Sequence, residues 1–585
     1  MQIASGPLSG IFAQSLPPGF PQPVFGAISK VLQVEKADAL YADLRSQGPP
    51  EAFVERLLAR LDVRVEAAQE DLARIPKTGA AIVVANHPFG LFDGAILADF
   101  LPRIRPDVKV LANSMLLAVP ELKDKIIPVD PFGGADATVS NVKGMREALR
   151  WLAKGGMLVA FPAGEVSSLR WSFSRIGIED SLWSSTIARL LRQSKACAVP
   201  LYLDGRNSAL FQLAGLIHPR LRTALLPHEL LNKQSSRLRL RCGHALNAKK
   251  MAQIESDTDL IEHLRWRTYL LAKRPTHITP PQCNAASIPT GPRASQIIRS
   301  LPDTPFLQCG DYSVFLAPGA KLGAALDEIG RLRELSFREA GEGTGQPRDL
   351  DRFDEHYQHL ILWHEGKREI AGAYRLGVVD EILAKEGAQG LYTSTLFNFR
   401  PDFFSSIGPA VELGRSFIRP EHQKSFQPLL LLWKGIGRFL LQNGKARTLF
   451  GPVSISANYS LASRELMAAV LQSEGERLVA PRNPLRKRLA VSSHCDPGEM
   501  EDIVAELEAD GKSLPVLLRQ YLKLGAKLHA FNVDTKFQNC LDGLIVVDLA
   551  RTERRLLERY FGADGAREFL DKNCKGAFRP LDRAI

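Results

Sequence analysis

At 585 residues the chain exceeds the ~300 at which a single hydrophobic core stops growing, so two or more cores are expected. Its 45% hydrophobic and 24% charged residues are an ordinary soluble balance. The net charge of +11 points to an acidic partner, either anionic lipid or an acidic carrier protein, and the lack of a compact Lys/Arg block or recognisable module argues against nucleic acid.

Residues 1 to about 30 are rich in Pro and Gly and are expected to be partly extended, with neither the basic start nor the apolar core of a signal peptide. From Ala52 to Ile75, Phe53, Leu57, Leu58, Leu61, Val65, Ala68 and Leu72 recur at helical spacing, which predicts an amphipathic helix. Glu and Asp are as common as Arg on its polar face, which favours packing on its own domain over lying in a membrane.

The run Ala81 to Ala85 is apolar without alternation, as in a strand buried on both faces, and ends at a polar Gly/Pro turn before a helix from Gly94. That turn carries Asn86, His87 and Asp93. Polar residues at the carboxyl end of a buried strand are where α/β folds commonly place chemistry. A His whose second ring nitrogen is held by a carboxylate has a fixed tautomer and can take a proton from a hydroxyl, as acyl transfer to an alcohol requires. The bland alternative has His87 bonding a turn carbonyl while Asp93 caps the helix.

Short apolar runs then alternate with helical segments: Val108 to Ala112, Ile126 to Val129, Met157 to Phe161, Ala198 to Leu203 and Leu238 to Cys242. Strands interleaved with helices predict a largely parallel α/β sheet. Leu111 to Pro120 is an apolar candidate for membrane or acyl-chain contact, with core packing as the alternative. A helix over Ser256 to Leu271 closes the first domain, residues 1–272, and the Pro/Ser/Thr-rich residues 273–300 read as a linker. The second domain, residues 301–585, starts afresh with strands Tyr312 to Leu316, Leu360 to Trp363, Glu369 to Arg375, Val411 to Phe417 and Thr448 to Val453 and a helix over Ala324 to Phe337. A strongly apolar helix, Gln427 to Gln442, lies between the last two of these strands, and a later strand, Asp542 to Leu549, completes the sheet. Seven cysteines without Cys-x-x-Cys spacing are expected to be reduced and to form no metal site. No apolar run reaches the ~18–20 residues of a membrane span, so any work on lipid is expected at a surface, peripheral on the inner face of the cytoplasmic membrane.

NHPFGLFDG, from Asn86 to Gly94, resembles the Asn-His…Asp block of the glycerolipid acyltransferases, and IIPVDP (Ile126 to Pro131), FPAGEVS (Phe161 to Ser167) and VPLYL (Val199 to Leu203) resemble that superfamily's later blocks in its order. The resemblance implies that His87 activates an acceptor hydroxyl, Asp93 orients His87, and Asn86 and Glu165 contact substrate, although Glu165 serves equally well as a helix cap. Two departures matter. Five residues separate His87 from Asp93 where four are usual, which resembles the branch found with amino-acid lipid synthesis. Ala163, Val166 and Pro131 stand where the family has phosphate-binding Glu and Arg side chains. Arginine forks are the natural partners of phosphate, so an acceptor without a phosphate monoester is expected unless Arg170 and Arg175 compensate.

In the second domain, strand, polar loop and buried helix follow in the order by which an N-acetyltransferase-like (GNAT) fold cradles the pantetheine of its donor. GEGTG (Gly341 to Gly345), DLDRFD (Asp349 to Asp354), GAYRLG (Gly372 to Gly377), ELGRSFI (Glu412 to Ile418) and FGPVSIS (Phe450 to Ser456) together resemble the ornithine-acyl carrier protein N-acyltransferases. The acyl-homoserine lactone synthases share part of the pattern. Both families place a fatty acyl group from acyl carrier protein on an α-amino group. RPEHQKSFQP (Arg419 to Pro428) replaces the Gly-rich loop of acetyl-coenzyme A users, so an acyl-carrier thioester is the expected co-substrate and no further cofactor or metal is expected. The resemblance implies Glu412 as the base for the amine, Asp351 and Asp354 as cation contacts, Arg375 or Arg415 as carboxylate contacts, and Arg419, His422 and Lys424 as contacts of phosphopantetheine or the carrier protein. Structural ion pairs are the alternative for the carboxylates and their arginines.

The expected architecture is therefore α/β, an amino-terminal glycerolipid-acyltransferase-like α/β domain and a carboxy-terminal GNAT-like α+β domain. Together the halves resemble the bifunctional ornithine lipid synthases. That implies N-acylation of L-ornithine with a 3-hydroxyacyl group by the second half, then O-acylation of that hydroxyl by the first. Three rivals remain: a lysophosphatidate acyltransferase with a non-catalytic GNAT-like docking domain, a membrane-active hemolysin, and the same synthesis on lysine, glutamine or glycine.

Overall fold

The protein is described by a computed structural model covering residues 6, 9, 33–130, 135–172, 175–217, 219–275, 287, 291–473, 478–486 and 489–573. The expected extended start, Pro131, most of the linker, Cys283 and Cys574 lie outside the described residues, as does the Arg175 side chain. The chain falls into two compact units, Met1–Arg274 with Ser492–His494, and Pro275–Val491 with Cys495–Ile585.

The first unit is built on seven strands: β1 (Arg64–Ala67), β2 (Ala81–Ala85), β3 (Val108–Asn113), β4 (Ile126–Val129), β5 (Met157–Ala160), β8 (Cys197–Asp204) and β9 (Arg237–Cys242), in the spatial order β1-β9-β8-β2-β5-β3-β4. A hairpin of β6 (Ser168–Ser172) and β7 (Arg175–Glu179) stands apart from this sheet. All neighbours run parallel except β8 and β9. Because side chains alternate along a strand, the unbroken apolar run of β2 feeds two cores. Ala81, Val83 and Ala85 face one, with Phe92, Ile96 and Leu97, while Ile82 and Val84 face the other, with Leu152, Leu191 and Leu264. The end of β2 therefore sits mid-sheet, between β5 and β8.

The single helix expected over 52–75 is instead a helix Phe53–Arg60, strand β1 and a short helix Gln69–Ala73. The chain turns at Asp62, which has φ of 48° in the left-handed region, and the Arg64 amide then donates to Ser236 rather than to its own turn. Propensity loses here to a strand partner, β9. Phe53, Val54, Leu57 and Leu58 are buried in the core of their own unit. The helix expected from Gly94 begins earlier, at Leu91. Leu111 to Pro120 continues β3 into a 3-10 turn, Ser114–Ala118, and ends where a second, Pro120–Leu122, begins, with Met115 and Leu116 packed on the core and Leu117 exposed.

The second unit holds β10 (Leu307–Cys309), β11 (Tyr312–Pro318), β12 (Gln358–His364), β13 (Glu369–Val378), β15 (Ala410–Ile418), β16 (Thr448–Ile455), β18 (Lys527–Asp534) and β19 (Cys540–Asp548), in the order β10-β11-β12-β13-β15-β16-β19-β18. A small separate pair is made by β14 (Phe397–Phe399) and β17 (Val479–Pro481). Among the described residues the only neighbouring strands of this sheet that run parallel are β15 and β16, and their register runs just from Ala410↔Thr448 to Glu412↔Phe450. Beyond that point both strands continue unpaired with each other and part in a V, into which the loop after β15 and the helix Gln427–Asn443 lead. The helix ends where Gly444, at φ 61°, takes up the left-handed cap.

The apex of the V depends on Gly451. A Cβ there would stand 2.1 Å from the Leu413 carbonyl oxygen, and backbone cannot rotate away as a side chain does. Gly451→Ala is expected to destabilise the second unit by roughly 1–3 kcal/mol, measured as a lower denaturant midpoint. An unchanged midpoint contradicts this reading of the apex.

Candidate active sites

His87 lies just past the end of β2, after Asn86, and its turn returns at Gly90 to start the helix Leu91–Phe100. Gly90 has φ of 78°, and a Cβ on it would meet Leu226 at 2.7 Å and Val166 at 2.9 Å, so this tight return requires glycine. The return puts Asp93 in the first helical turn, where its Oδ2 accepts the Phe89 and Gly90 amides, each at 2.9 Å. The same oxygen lies 2.9 Å from His87 Nδ1, at an angle too bent for a well-formed hydrogen bond, the kind of contact that tightens when substrate binds. Asp93 thus caps the helix and faces the imidazole at once, so the two readings open in the sequence are one arrangement. Burial pushes the Asp93 pKa up, opposed by His87 and the two amides. The His87 ring stacks on Phe161 with centroids 4.3 Å apart, and its side chain keeps 17% exposure. With Nδ1 turned to Asp93, Nε2 is the nitrogen left for a substrate.

Asn86 is 3% exposed and both polar atoms of its side chain bond the Leu203 backbone, at 2.9 and 2.7 Å. It braces the ends of β2 and β8, and the expectation of a substrate contact gives way to that role. Glu165 is gripped by Arg170 at 2.8 Å and Arg222 at 3.0 Å. Asp180 has no flag in its local sequence, yet it accepts from the His87 amide at 3.2 Å, Ser167 Oγ at 2.5 Å and Trp183 Nε1 at 2.9 Å, tying three segments to the histidine.

In the second unit a cavity of about 550 Å³ opens in the V, walled by Leu413 to Ile418 on one side and Pro452 to Ser454 on the other. Phe337, Phe417, Phe426 and Leu429 give it apolar surface, while Glu342, Asp534, Asp542, Arg415 and Lys424 are its charged lining. Glu342 is 9% exposed, and its carboxylate makes no hydrogen bond or ion pair among the described residues. Burial and the charge of Asp542 push its pKa up to about 8, against the pull of Arg415. Asp542 accepts from Ser454 Oγ at 2.9 Å, and burial with the charge of Asp534 raises it to about 7. These carboxylates were not singled out in the sequence. The signal for Glu342 was present: glycines flank it in GEGTG, with φ of 75° at Gly341 and 110° at Gly343.

Glu412, expected as the base for the amine, is elsewhere. It is 1% exposed and accepts from the Thr393 amide at 2.7 Å, the Tyr392 amide at 3.2 Å and the Tyr357 hydroxyl, and it does not line the cavity. Its acceptor capacity is taken up by the fold, so it cannot reach an amine bound in the V. Asp351, Asp354 and Arg375 likewise belong to a lattice of three arginines and three aspartates, buried except for partly exposed Asp351 and Arg415. Arg333 forks onto Asp354 at 2.8 and 3.0 Å, Arg375 bonds Asp351 at 2.6 Å and reaches Asp354 at 3.1 Å, and Arg415 lies 3.3 Å from Asp349 and 3.5 Å from Asp351. Burial alone would raise the pKa of Asp354, but the guanidiniums of Arg333 and Arg375 outweigh it and hold the carboxyl well below the usual range. These are ion pairs that order the fold, and of the expected substrate contacts in this unit only Arg415 lines the cavity. Arg419 bonds Glu369 at 2.6 Å, and the buried His422 bridges Glu369 and the Tyr312 hydroxyl at 3.0 Å each, which leaves Lys424 alone of that expected trio on the cavity wall.

Comparison with known proteins bears on both units. Residues 30–275 match the family described as acyltransferase, and residues 332–434 match the acetyltransferase (GNAT) domain. The chain is 31% identical over 227 residues to the glycine N(alpha)-acyltransferase of Phocaeicola vulgatus, covering 35% of this chain and 70% of that protein. It is 29% identical over 160 residues to the lyso-glycine lipid O-acyltransferase of the same organism, covering 27% of this chain and 53% of that one. To the L-ornithine N(alpha)-acyltransferase of Rhizobium meliloti it is 27% identical over 246 residues, 40% of this chain and 78% of the relative.

Removing one partner from a buried ion lattice strands the other. Arg333→Leu is therefore expected to cost the second unit about 3–5 kcal/mol, read from denaturant unfolding. A loss too small to detect would contradict the description of this lattice as the unit's internal brace.

Proposed function

The chain belongs to the acyltransferases of amino-acid lipid synthesis, with an O-acyltransferase domain fused to a C-terminal GNAT N-acyltransferase domain, and from that premise we propose that one polypeptide carries out both acylations. The GNAT unit N-acylates L-ornithine with a 3-hydroxyacyl group from acyl carrier protein. The amino-terminal unit then esterifies the 3-hydroxyl of that monoacyl lipid with a second acyl group from the same kind of donor. The carrying observation is the pairing, in one chain, of an imidazole and carboxylate 2.9 Å apart with a separate cavity lined by carboxylates and phenyl rings.

At the first site the hydroxyl proton passes to His87 Nε2 as its oxygen attacks the thioester carbonyl carbon. The C–S bond then breaks, and the departing thiolate takes the proton from the imidazolium. Asp93 holds the ring and balances its transient charge. An acceptor without a phosphate monoester fits Ala163 and Val166, and fits the engagement of Arg170 and Arg222 by Glu165. Ornithine is favoured by Glu342, Asp534 and Asp542 in one cavity, since a diamino acid brings two ammonium groups. Glycine is the second reading, supported by the 31% identity to the glycine N(alpha)-acyltransferase against 27% to the ornithine enzyme.

No helix among the described residues is long and apolar enough to cross a membrane. Contact with a lipid surface, peripheral at the inner face of the cytoplasmic membrane, is supported by the helix Ala209–Ile217, where Leu210, Leu213 and Leu216 are exposed at helical spacing. The net charge of +11 suits anionic lipid and an acidic carrier protein alike.

Purified His87→Ala protein, given 3-hydroxyacyl and acyl thioesters of acyl carrier protein with ornithine, is expected to build up the N-acylated product, its O-acylation slowed roughly 10²–10⁴-fold. Diacyl product at the unmodified rate contradicts the assignment of His87. Acylation of lysophosphatidate in preference to the N-acyl lipid contradicts the proposed acceptor.

A further inference from the structure

Glu342 stands out among the buried carboxylates that line the cavity of the second unit because, unlike Asp542, which accepts from Ser454, it has no hydrogen-bond partner for its carboxylate among the described residues. The helix Ala324–Glu339 ends just before it, and the loop that follows is pinned by Glu334, which is fully buried. Glu334 accepts from the Thr344 hydroxyl at 2.7 Å, the Thr344 amide at 3.0 Å and the Gly345 amide at 2.8 Å, and is paired with Arg338 at 2.6 Å. On its other side the Gly341 carbonyl accepts from Ser456 Oγ at 3.2 Å, and a Cβ at Gly341 would fall 1.9 Å from Asn458. The loop is thus fixed at both ends, and the side chain it carries between two glycines is buried, unpartnered among the described residues and part of the cavity wall. An unpaired carboxylate in such a place costs stability, and a fold that holds it there with a dedicated loop has a use for it.

We propose that Glu342 is the general base of the N-acylation, taking a proton from the ammonium group of the incoming amino acid, with Asp542 beside it as the partner that shares the charge. The inference rests on the functional reading above and adds to it the group that performs the proton transfer. One ammonium proton passes to the Glu342 carboxylate, leaving a neutral amine. The amine nitrogen attacks the thioester carbonyl carbon, the N–C bond forms and the C–S bond breaks. The departing thiolate takes the second proton from nitrogen, and the third remains on the amide. Glu342 returns its proton to solvent before the next turnover. The apolar wall of Phe337, Phe417 and Leu429 is suited to the acyl chain.

Asp542 on β19 and Arg415 on β15 set the charge of Glu342; Glu342 in turn acts on Cys540 of β19 and on Tyr459 in the loop after β16, while Asp534 of β18 acts on Asp542. Burial and Asp542 raise its pKa to about 8, and a base must be deprotonated to act, so N-acylation is expected to rise with pH through that region and level off above it.

The full chain, wild type and variants, is assayed with 3-hydroxyacyl-acyl carrier protein and either ornithine or glycine. Glu342→Gln is expected to lower kcat for N-acylation roughly 10²–10⁴-fold and to remove the rise near pH 8. Glu342→Ala is expected to regain activity when acetate is added, which a misfolded protein cannot do. A Glu342→Gln protein with wild-type kcat and pH profile overturns the assignment, as does a loss in Glu342→Ala that acetate leaves untouched. Wild-type protein that N-acylates neither amino acid overturns the functional reading, and this inference with it.

Discussion

A carboxylate removed from water must be given donors or cations, and the way this chain meets that demand organises both of its units. Asp93 receives two backbone amides and an imidazole, Glu334 a loop and an arginine, Glu412 two amides and a phenol, and Asp354 a bidentate guanidinium. Each is thereby committed to holding backbone or a side chain in place. Glu342 receives none of these among the described residues and faces a cavity. The contrast separates scaffolding acids from one held ready for a substrate, and it does so on partners rather than on burial, which is high in every case.

The two units reach comparable chemistry by different sheet geometry. In the first, a parallel strand buried on both faces stops abruptly, and the residues after it stand at mid-sheet, where the turn before the next helix supplies the amides for Asp93 in that helix's first turn. In the second, two parallel strands lose their mutual pairing after Glu412 and Phe450, and the gap itself becomes the cavity. In the proposed O-acylation a hydroxyl needs a base with a fixed tautomer, a demand that the His87 and Asp93 pair on its turn is suited to meet. An ammonium needs a proton acceptor in a partly desolvated site, which a carboxylate on a fixed loop in the V supplies.

The elements were largely legible in the sequence. β2, β4 and the helix Gln427–Asn443 appear within a residue of their expected bounds because nothing in their apolar patterns conflicts with tertiary pairing. The expected helix over 52–75 failed because its strand partner β9, which pairs Arg64 with Arg237, is far away in sequence and invisible to local periodicity. His87 and Asp93 were readable since both lie in one turn, nine residues carrying the whole arrangement. The second site was harder. Its resemblance to other N-acyltransferases drew attention to Glu412, whose carboxylate is taken up by two amides and a phenol, and to Asp351, Asp354 and Arg375, which pair with one another. Glu342 and Asp542 are two hundred residues apart and meet only across the V, and no spacing rule joins them. The glycines around Glu342 were the one local sign that its backbone had an unusual task.

The central claim is that one chain performs two successive acylations on an amino acid. It is tested most directly by mass spectrometry of the lipids of a bacterial host that makes no amino-acid lipid and expresses this protein alone. The account predicts a new lipid carrying ornithine in amide linkage to a 3-hydroxy fatty acid, whose hydroxyl bears a second acyl chain as an ester. A lipid extract with altered glycerophospholipids and no amide-linked amino acid would contradict it.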